Sequence, residues 1–268
     1  MVAPATLNDD SHIWGPQLST AMAQTRLFVN DTLSSGLQLQ LNSEQARYIG
    51  KVLRLRVGDQ LTVFNGQGGE FAATAETIQK NSAILLIGEQ FEVATESPLK
   101  VHLVQGVSRG DRMDLVVQKA TELGVKRISP VLTEYGVVKL DAARATKRCD
   151  HWQSVAASAC EQSGRIRPPL VDEPMGLDVW FGARTEEADT DLILRPGATT
   201  SLTSLAAPVT KVCLLIGPEG GFSDTEYEDA EVAGFRSASL GPRILRTETA
   251  AIAAIAVMQS AWGDLRAQ

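Results

Sequence analysis

Ile216-Gly217-Pro218-Glu219-Gly220-Gly221-Phe222-Ser223 is the stretch on which the architecture turns. An apolar strand, expected over Val212–Ile216, runs straight into a loop with three glycines and a proline in five residues. Ser223 and Glu226 then have the spacing of a capping box, which starts a helix. A buried strand, an irregular loop and a capped helix in that order build α/β proteins. The loop would lie at the carboxyl end of its strand, where such folds hold ligands. Missing Cβ atoms let the main chain approach a ligand closely. No Gly-Lys-Ser/Thr follows and no Gly-x-Gly-x-x-Gly spacing is present, which disfavours a phosphate loop and a dinucleotide. A tight turn without a ligand is the plainer alternative.

Working outward, the arrangement recurs. Leu240-Gly241-Pro242-Arg243-Ile244-Leu245-Arg246-Thr247-Glu248-Thr249 joins a short strand to the last helix, and its two arginines lie beside a helix N-terminus that favours anions. Leu194-Arg195-Pro196-Gly197 also follows a strand. Three irregular loops at strand ends would suit one small ligand, although the arginines could equally be solvated surface groups. From Pro98 onward the pattern is strand–helix alternation. Strands are expected at Val101–Val107, Ile128–Leu132, Leu192–Leu194, Val212–Ile216 and Ala238–Leu240. Helices are expected from Asp111 to Gly124, over Ala142–Gln162, after Ser223 and over Thr247–Trp262. This predicts an α/β domain with a mostly parallel sheet over residues 98–268.

Before Ser97-Pro98 the grammar differs. Short alternating runs at Arg26–Asn30, Leu37–Leu41, Gln60–Asn65, Glu70–Ile78 and Ala83–Phe91 are separated by turn signals such as Asn65-Gly66, with a short helix from Ser43. Residues 25–97 therefore read as a small β-barrel or sandwich. Residues 1–24 contain Asp9 and Asp10 but no Lys or Arg. They lack the basic start of a secretory signal and the arginines of a mitochondrial presequence, and read as a loosely ordered extension on a cytoplasmic protein.

Composition excludes several classes. With 44% hydrophobic and 21% charged residues in 268, the chain is globular rather than disordered. Its longest apolar run, Ala250–Met258, is too short to span a bilayer. Three cysteines without a Cys-x-x-Cys pair make no disulfide framework, and three scattered histidines make a structural zinc site unexpected. The net charge of −7 hides an asymmetry. Residues 99–170 hold 12 Lys+Arg against 7 Asp+Glu, whereas residues 171–234 hold 3 against 13. One face could therefore meet a polyanion.

Other motifs carry rival readings. Gly106-Val107-Ser108-Arg109-Gly110 matches a nucleophile elbow, which would make Ser108 the nucleophile of a serine hydrolase. The single downstream histidine, His151, falls inside a predicted helix. Glu161-Gln162-Ser163-Gly164-Arg165 gathers a carboxylate, an amide and a guanidinium at a helix end, able to grip a base or phosphate or simply to cap the helix. Lys119 and Glu122 read as an ion pair along one helix face, and Cys160 as a small buried residue. Alanines at 250, 251, 253 and 254 allow a close helix neighbour, in the core or in a dimer.

Taken together, Val52-Leu53-Arg54, Ser108-Arg109-Gly110, Gln118-Lys119-Ala120-Thr121-Glu122-Leu123-Gly124, Glu161–Arg165, Gly217–Gly221 and Leu240–Ala250 resemble, in the same order, the motifs of the RsmE family of 16S ribosomal RNA uridine-N3 methyltransferases, within the SPOUT superfamily. The resemblance runs from about Arg26 to Leu265. It implies an N-terminal PUA-like β-barrel that binds RNA and a C-terminal α/β domain with a trefoil knot, acting as a homodimer. It further implies that S-adenosylmethionine is held by Leu194, Arg195 and Pro196, by Gly217, Pro218, Glu219, Gly220 and Gly221, and by Leu240, Gly241, Ile244, Leu245, Arg246 and Thr247. Two positions depart from the family's pattern: Tyr48 stands where many members have His, and Arg195-Pro196 where many have His-Pro.

On this reading the reaction is methyl transfer to uridine N3, which becomes nucleophilic only after losing its proton. Arg246 and Arg165 are the expected grips on the anionic base, and Glu161 or water the expected proton acceptor. Arg26, Arg54, Arg109 and Arg165 are the expected RNA contacts. No metal and no covalent cysteine is required. A protein that binds RNA without catalysis is the remaining alternative.

Overall fold

The computed structural model describes residues 25–185, 188–204 and 209–265. The expected N-terminal extension lies outside the described residues. The chain first forms β1 (Arg26–Phe28), β2 (Gln38–Leu41), α1 (Ser43–Arg47), a π-helical segment (Tyr48–Val52), β3 (Gln60–Phe64), β4 (Glu70–Ile78) and β5 (Ala83–Phe91). Asn42 caps α1: its side chain accepts from the amides of Glu44 and Gln45, and the Gln45 side chain returns to the Asn42 amide. The strands order as β1-β3-β4-β5-β2, with β1 parallel to β3 and the other pairs antiparallel. Alternation puts Leu39, Leu41, Leu61, Val63, Ala73, Leu85 and Ile87 inside. Two register shifts, at Phe71/Ala73 and Ala75/Thr77, give β4 the irregularities that bend a sheet. Among the described residues no pairing joins β1 to β2, so the ladder itself does not close a barrel.

The remainder is α/β. In order come β6 (Lys100–Gly106), α2 (Arg112–Glu122), β7 (Arg127–Leu132), α3 (Ala142–Ser163), β8 (Leu170–Val171), β9 (Met175–Gly176), α4 (Leu177–Ala183), β10 (Thr190–Leu194), β11 (Lys211–Ile216), α5 (Asp224–Val232), β12 (Arg236–Ala238) and α6 (Thr247–Trp262). The sheet runs β12-β10-β11-β6-β7-β8, with β9 also on β7, and every pair is parallel. Parallel strands buried on both faces read as continuous apolar runs, which is why 212–216 was legible. One face packs Val101, Leu103, Val212 and Leu214 against α2, α3 and α6; the other packs Val104, Ile193, Cys213 and Leu215 against α4 and α5. Each such Leu or Ile, fully buried, contributes roughly 1.5–3 kcal/mol.

The two sheets meet through α3. Phe28, Phe64, Cys160 and Ile166 form a small apolar cluster there. Around it, Arg26 is spent on internal partners: Glu70 and the carbonyls of Cys160, Glu161 and Arg165. Its guanidinium also stacks 4.4 Å from the centre of the Phe64 ring. Arg26 is thus a strut between the sheets and has no donor left over for RNA, contrary to the sequence-based expectation.

Candidate functional site

The loops following β10, β11 and β12 converge on one cleft of about 450 Å³. Its wall includes Leu194, Arg195 and Pro196 from the first loop, Gly217, Pro218, Glu219 and Gly221 from the second, and Leu240, Gly241, Ile244, Leu245, Arg246 and Thr247 from the third. Of the sequence-predicted cofactor residues, Gly220 alone is not on that wall. A Cβ there would come 2.7 Å from the Tyr135 carbonyl oxygen, so its role is to let the loop lie against Tyr135. Gly221 and Gly241, with φ of +70° and +91°, have nothing within 4 Å of where a Cβ would stand. At those two bends the main chain is bare toward open space.

The loops are bolted together. Thr247, at the first turn of α6, donates to the Gly217 carbonyl at 2.6 Å, and Gln105, fully buried at the end of β6, donates to the Thr247 hydroxyl at 2.8 Å. Gly106 has no room for a side chain, because a Cβ would overlap Pro218. The Glu219 carboxylate accepts from the Arg109 amide at 3.1 Å and pairs with Arg112. Despite partial burial, which acts to raise its pKa, the surrounding backbone amides and Arg112 hold Glu219 below the usual carboxylate range. Arg195 lies 4.3 Å from the centre of the Tyr227 ring. Arg195 thus sets a cation against an aromatic wall of the cleft.

Arg246 and Arg243 are exposed on the cleft's rim, and Arg246 is the N-cap residue of α6 without a side-chain capping bond. The other two candidates for chemistry lie elsewhere. Arg165 is 3% exposed and donates to the carbonyls of Thr121 and Val125 at 2.7 and 2.9 Å and to Glu96 at 2.9 Å. It ties the linker between the sheets to the end of α2 and does not face the cleft. The Glu161 carboxylate accepts from the Phe28 amide at 2.9 Å and from the Tyr48 hydroxyl at 3.1 Å. Burial pushes its pKa up, and burial together with this carboxylate pushes Tyr48 up to about 12. This pair joins α3 to the π-helical segment, and neither Glu161 nor Arg165 is on the wall of the cleft. A sequence can show that a carboxylate and a guanidinium end a helix, but not which way that end faces.

Of the expected RNA contacts, Arg54 and Arg109 remain exposed. Arg54 has φ of +56°, the one described non-glycine residue with positive φ. Such conformations cost of order 1–3 kcal/mol and cluster at functional sites. Several wall residues were not among the predicted cofactor contacts, Arg112, Tyr227 and Glu248 among them. Glu248 was within reach, lying two positions after Arg246 on the same turn.

The hydrolase alternative fails on geometry. Ser108 is 3% exposed and reaches only the Gly106 carbonyl, at 3.5 Å. His151 sits on α3 and bonds to Asp114 at 2.7 Å. Among the described residues no helix is long and apolar enough to cross a membrane, and no group of three or more His, Cys, Asp or Glu could hold a metal ion.

Comparisons with known proteins agree with this geometry. Residues 95–259 match the RNA methyltransferase domain model, and residues 41–88 match the RNA methyltransferase PUA domain model. Ribosomal RNA small subunit methyltransferase E of Buchnera aphidicola subsp. Schizaphis graminum is 36% identical over 90% of this chain and 97% of its own length. The Neisseria gonorrhoeae ribosomal RNA small subunit methyltransferase E, solved bound to S-adenosyl methionine, superposes with a TM-score of 0.82 at 38% identity, over 90% of this chain and 99% of that one. A Legionella pneumophila protein solved with bound SAM gives a TM-score of 0.86 at 41% identity, over 90% and 99%. On these matches the chain belongs to the ribosomal RNA small subunit methyltransferase E family of RNA methyltransferases.

Proposed function

We propose that this protein transfers a methyl group from S-adenosylmethionine to N3 of a uridine in 16S ribosomal RNA, in the cytoplasm. The observation that carries the reading is the convergence of three strand-end loops on a single cleft with Arg243 and Arg246 at its rim. The residues fit the cofactor. The cleft's volume lies within the usual range for small-molecule sites. Bare main chain at Gly221 and Gly241 and the apolar side chains of Leu240 and Leu245 would hold a nucleoside. When bound, S-adenosylmethionine supplies an electrophilic methyl group on a positively charged sulfur.

The chain's own residues supply the rest. Arg246, aided by the amides of the α6 N-terminus, stabilises the uridine anion that forms when the N3 proton leaves. The lone pair so exposed lies in the plane of the ring and is the pair that attacks. A protein base hydrogen-bonded straight along N3–H would stand where the methyl must arrive. With Glu161 at the junction between the sheets, water is the acceptor.

Residues 25–97 are the RNA-holding unit and 98–268 the catalytic one, with Arg54 and Arg109 on flanking phosphates, where contacts position RNA without reading its sequence. The chain works as a homodimer with a trefoil knot. The knot is supported by the 194–204 segment, which is hydrogen-bonded to β12 and its exit through Arg195 to Ala238, Leu202 to Ser239 and Ser239 to Thr200. The homodimer is supported by α6, apolar nearly all round, with Ile252, Ala253, Ala256 and Val257 only partly covered. The test is incubation of purified protein with small ribosomal subunits and labelled methyl donor, followed by nucleoside mass analysis. N3-methyluridine in the 16S RNA is the expected product. Labelled RNA lacking it, or none, overturns the reading, and cofactor and RNA binding without turnover would make this a binding protein.

A further inference from the structure

Glu248 is an anomaly in the cleft wall. Its side chain is 13% exposed, one carboxylate oxygen lies 3.9 Å from Arg112 Nε, and the other, Oε2, is buried without a hydrogen-bond partner. Arg112 is committed to Glu219 through Nη1, so it only partly balances Glu248. Glu248 also occupies the second position of α6, at the positive end of the helix dipole. A buried charge left short of partners is costly, and proteins keep such groups where a ligand relieves the cost.

We propose that Glu248 recognises the sulfonium charge of the cofactor; this rests on the methyltransferase reading above. Arg246, which on that reading would face the reacting base, stands two residues before Glu248. The sulfur bearing the methyl group would then lie near the first turn of α6. An ammonium requires several acceptors, while a sulfonium has no N–H and requires only negative charge. Thr247, pinned between Gln105 and Gly217, fixes the turn that presents the carboxylate. Transfer of the methyl leaves a neutral thioether, so the attraction ends with the reaction and the spent cofactor is released more readily.

Calorimetry on the full chain tests this with three probes: S-adenosylmethionine, S-adenosylhomocysteine, and sinefungin, which carries an amine in place of the sulfonium. Wild-type protein should bind the two cationic probes tighter than S-adenosylhomocysteine. Glu248→Gln should lose tenfold or more in affinity for both cationic probes and less than twofold for S-adenosylhomocysteine. Equal losses for all three, unchanged affinities, or equal wild-type affinities overturn the proposal. If Glu248→Gln fails to fold, the wild-type series and Glu248→Asp decide, since Asp should keep the preference for charge. Failure of wild-type protein to bind any of the three would instead remove the cofactor reading itself.

Discussion

The hydroxyl of Thr247 donates to the carbonyl of Gly217 at 2.6 Å, locking the start of α6 to the glycine-rich loop after β11. The same hydroxyl accepts from Gln105, so one oxygen joins three segments of chain. Thr247→Val keeps the shape but strips one partner from the buried Gln105 amide, leaving it only the Gly106 carbonyl, and removes a donor from Gly217. Loss of a buried partner costs about 1–3 kcal/mol. Thermal unfolding should show that loss, and calorimetry should show weaker S-adenosylmethionine binding. A variant with unchanged affinity would mean the loop keeps its shape without the bond.

Arg246 is exposed at the cleft rim and caps α6 with its backbone alone. Arg246→Ala should therefore leave the melting temperature and oligomeric state intact. Removing a donor aimed at developing negative charge costs about 10²–10³ in rate, and single-turnover methylation should fall by that order. Near-normal rates would take this arginine out of the mechanism.

Much of this was legible in the chain itself. The boundaries of β4, β5 and α6 follow directly from alternation and helical spacing, and the capping box at Ser223 and Glu226 forms as its spacing predicts. The cleft was legible because glycine and proline mark where main chain must bend after a strand. Short elements were not: β8 and β9 have two residues each, too few for a period, and α4 follows β9 without a side-chain cap. The π-helical segment hides because its residues suit an ordinary helix. The internal partners of Arg26, Arg165 and Glu161 were not legible for a different reason. Charged groups look alike in sequence whether they face solvent or protein: here Arg26 of β1 and Glu161 of α3 bond across the junction, and Arg165 bonds Glu96 and the end of α2.

Gly220 gives a stability prediction separate from cofactor contact. Because a Cβ would press on the backbone of Tyr135, Gly220→Val should lower the melting temperature as well as cofactor affinity. Overpacking of this kind typically costs about 1–3 kcal/mol. A variant that melts like the wild type yet loses the cofactor would show that Gly220 meets the ligand directly.

RNA affinity should fall steeply with salt, because neutralised phosphates release counterions. Arg54, held exposed with a positive φ, should contribute one such contact. Arg54→Ala should lower the slope of log affinity against log salt by about one. Arg26→Ala should instead destabilise the fold, since that side chain is spent between Glu70 and α3. Filter binding across a salt series separates the two, and an unchanged slope for Arg54→Ala would exclude it from the RNA face.

Glu96 carries the pH dependence. Burial acts to raise its pKa, but hydrogen bonds from Arg165 and Lys126 more than offset it and hold the carboxyl at about 2, against an ordinary 4.5. A carboxylate whose folded pKa is depressed stabilises the protein above its unfolded value and loses that contribution as the pH falls toward the folded one. The stabilisation is therefore full above about pH 4.5 and drains away toward about pH 2. Arg165→Met removes the main partner of a buried carboxylate, and breaking such a pair costs about 3–5 kcal/mol. The gap in unfolding free energy between wild type and variant should be largest near neutrality and narrow through that acid window, because protonated Glu96 no longer needs the arginine. Denaturant titrations at a series of pH values measure it, and a gap independent of pH would mean that Arg165 acts through its bonds to Thr121 and Val125 alone.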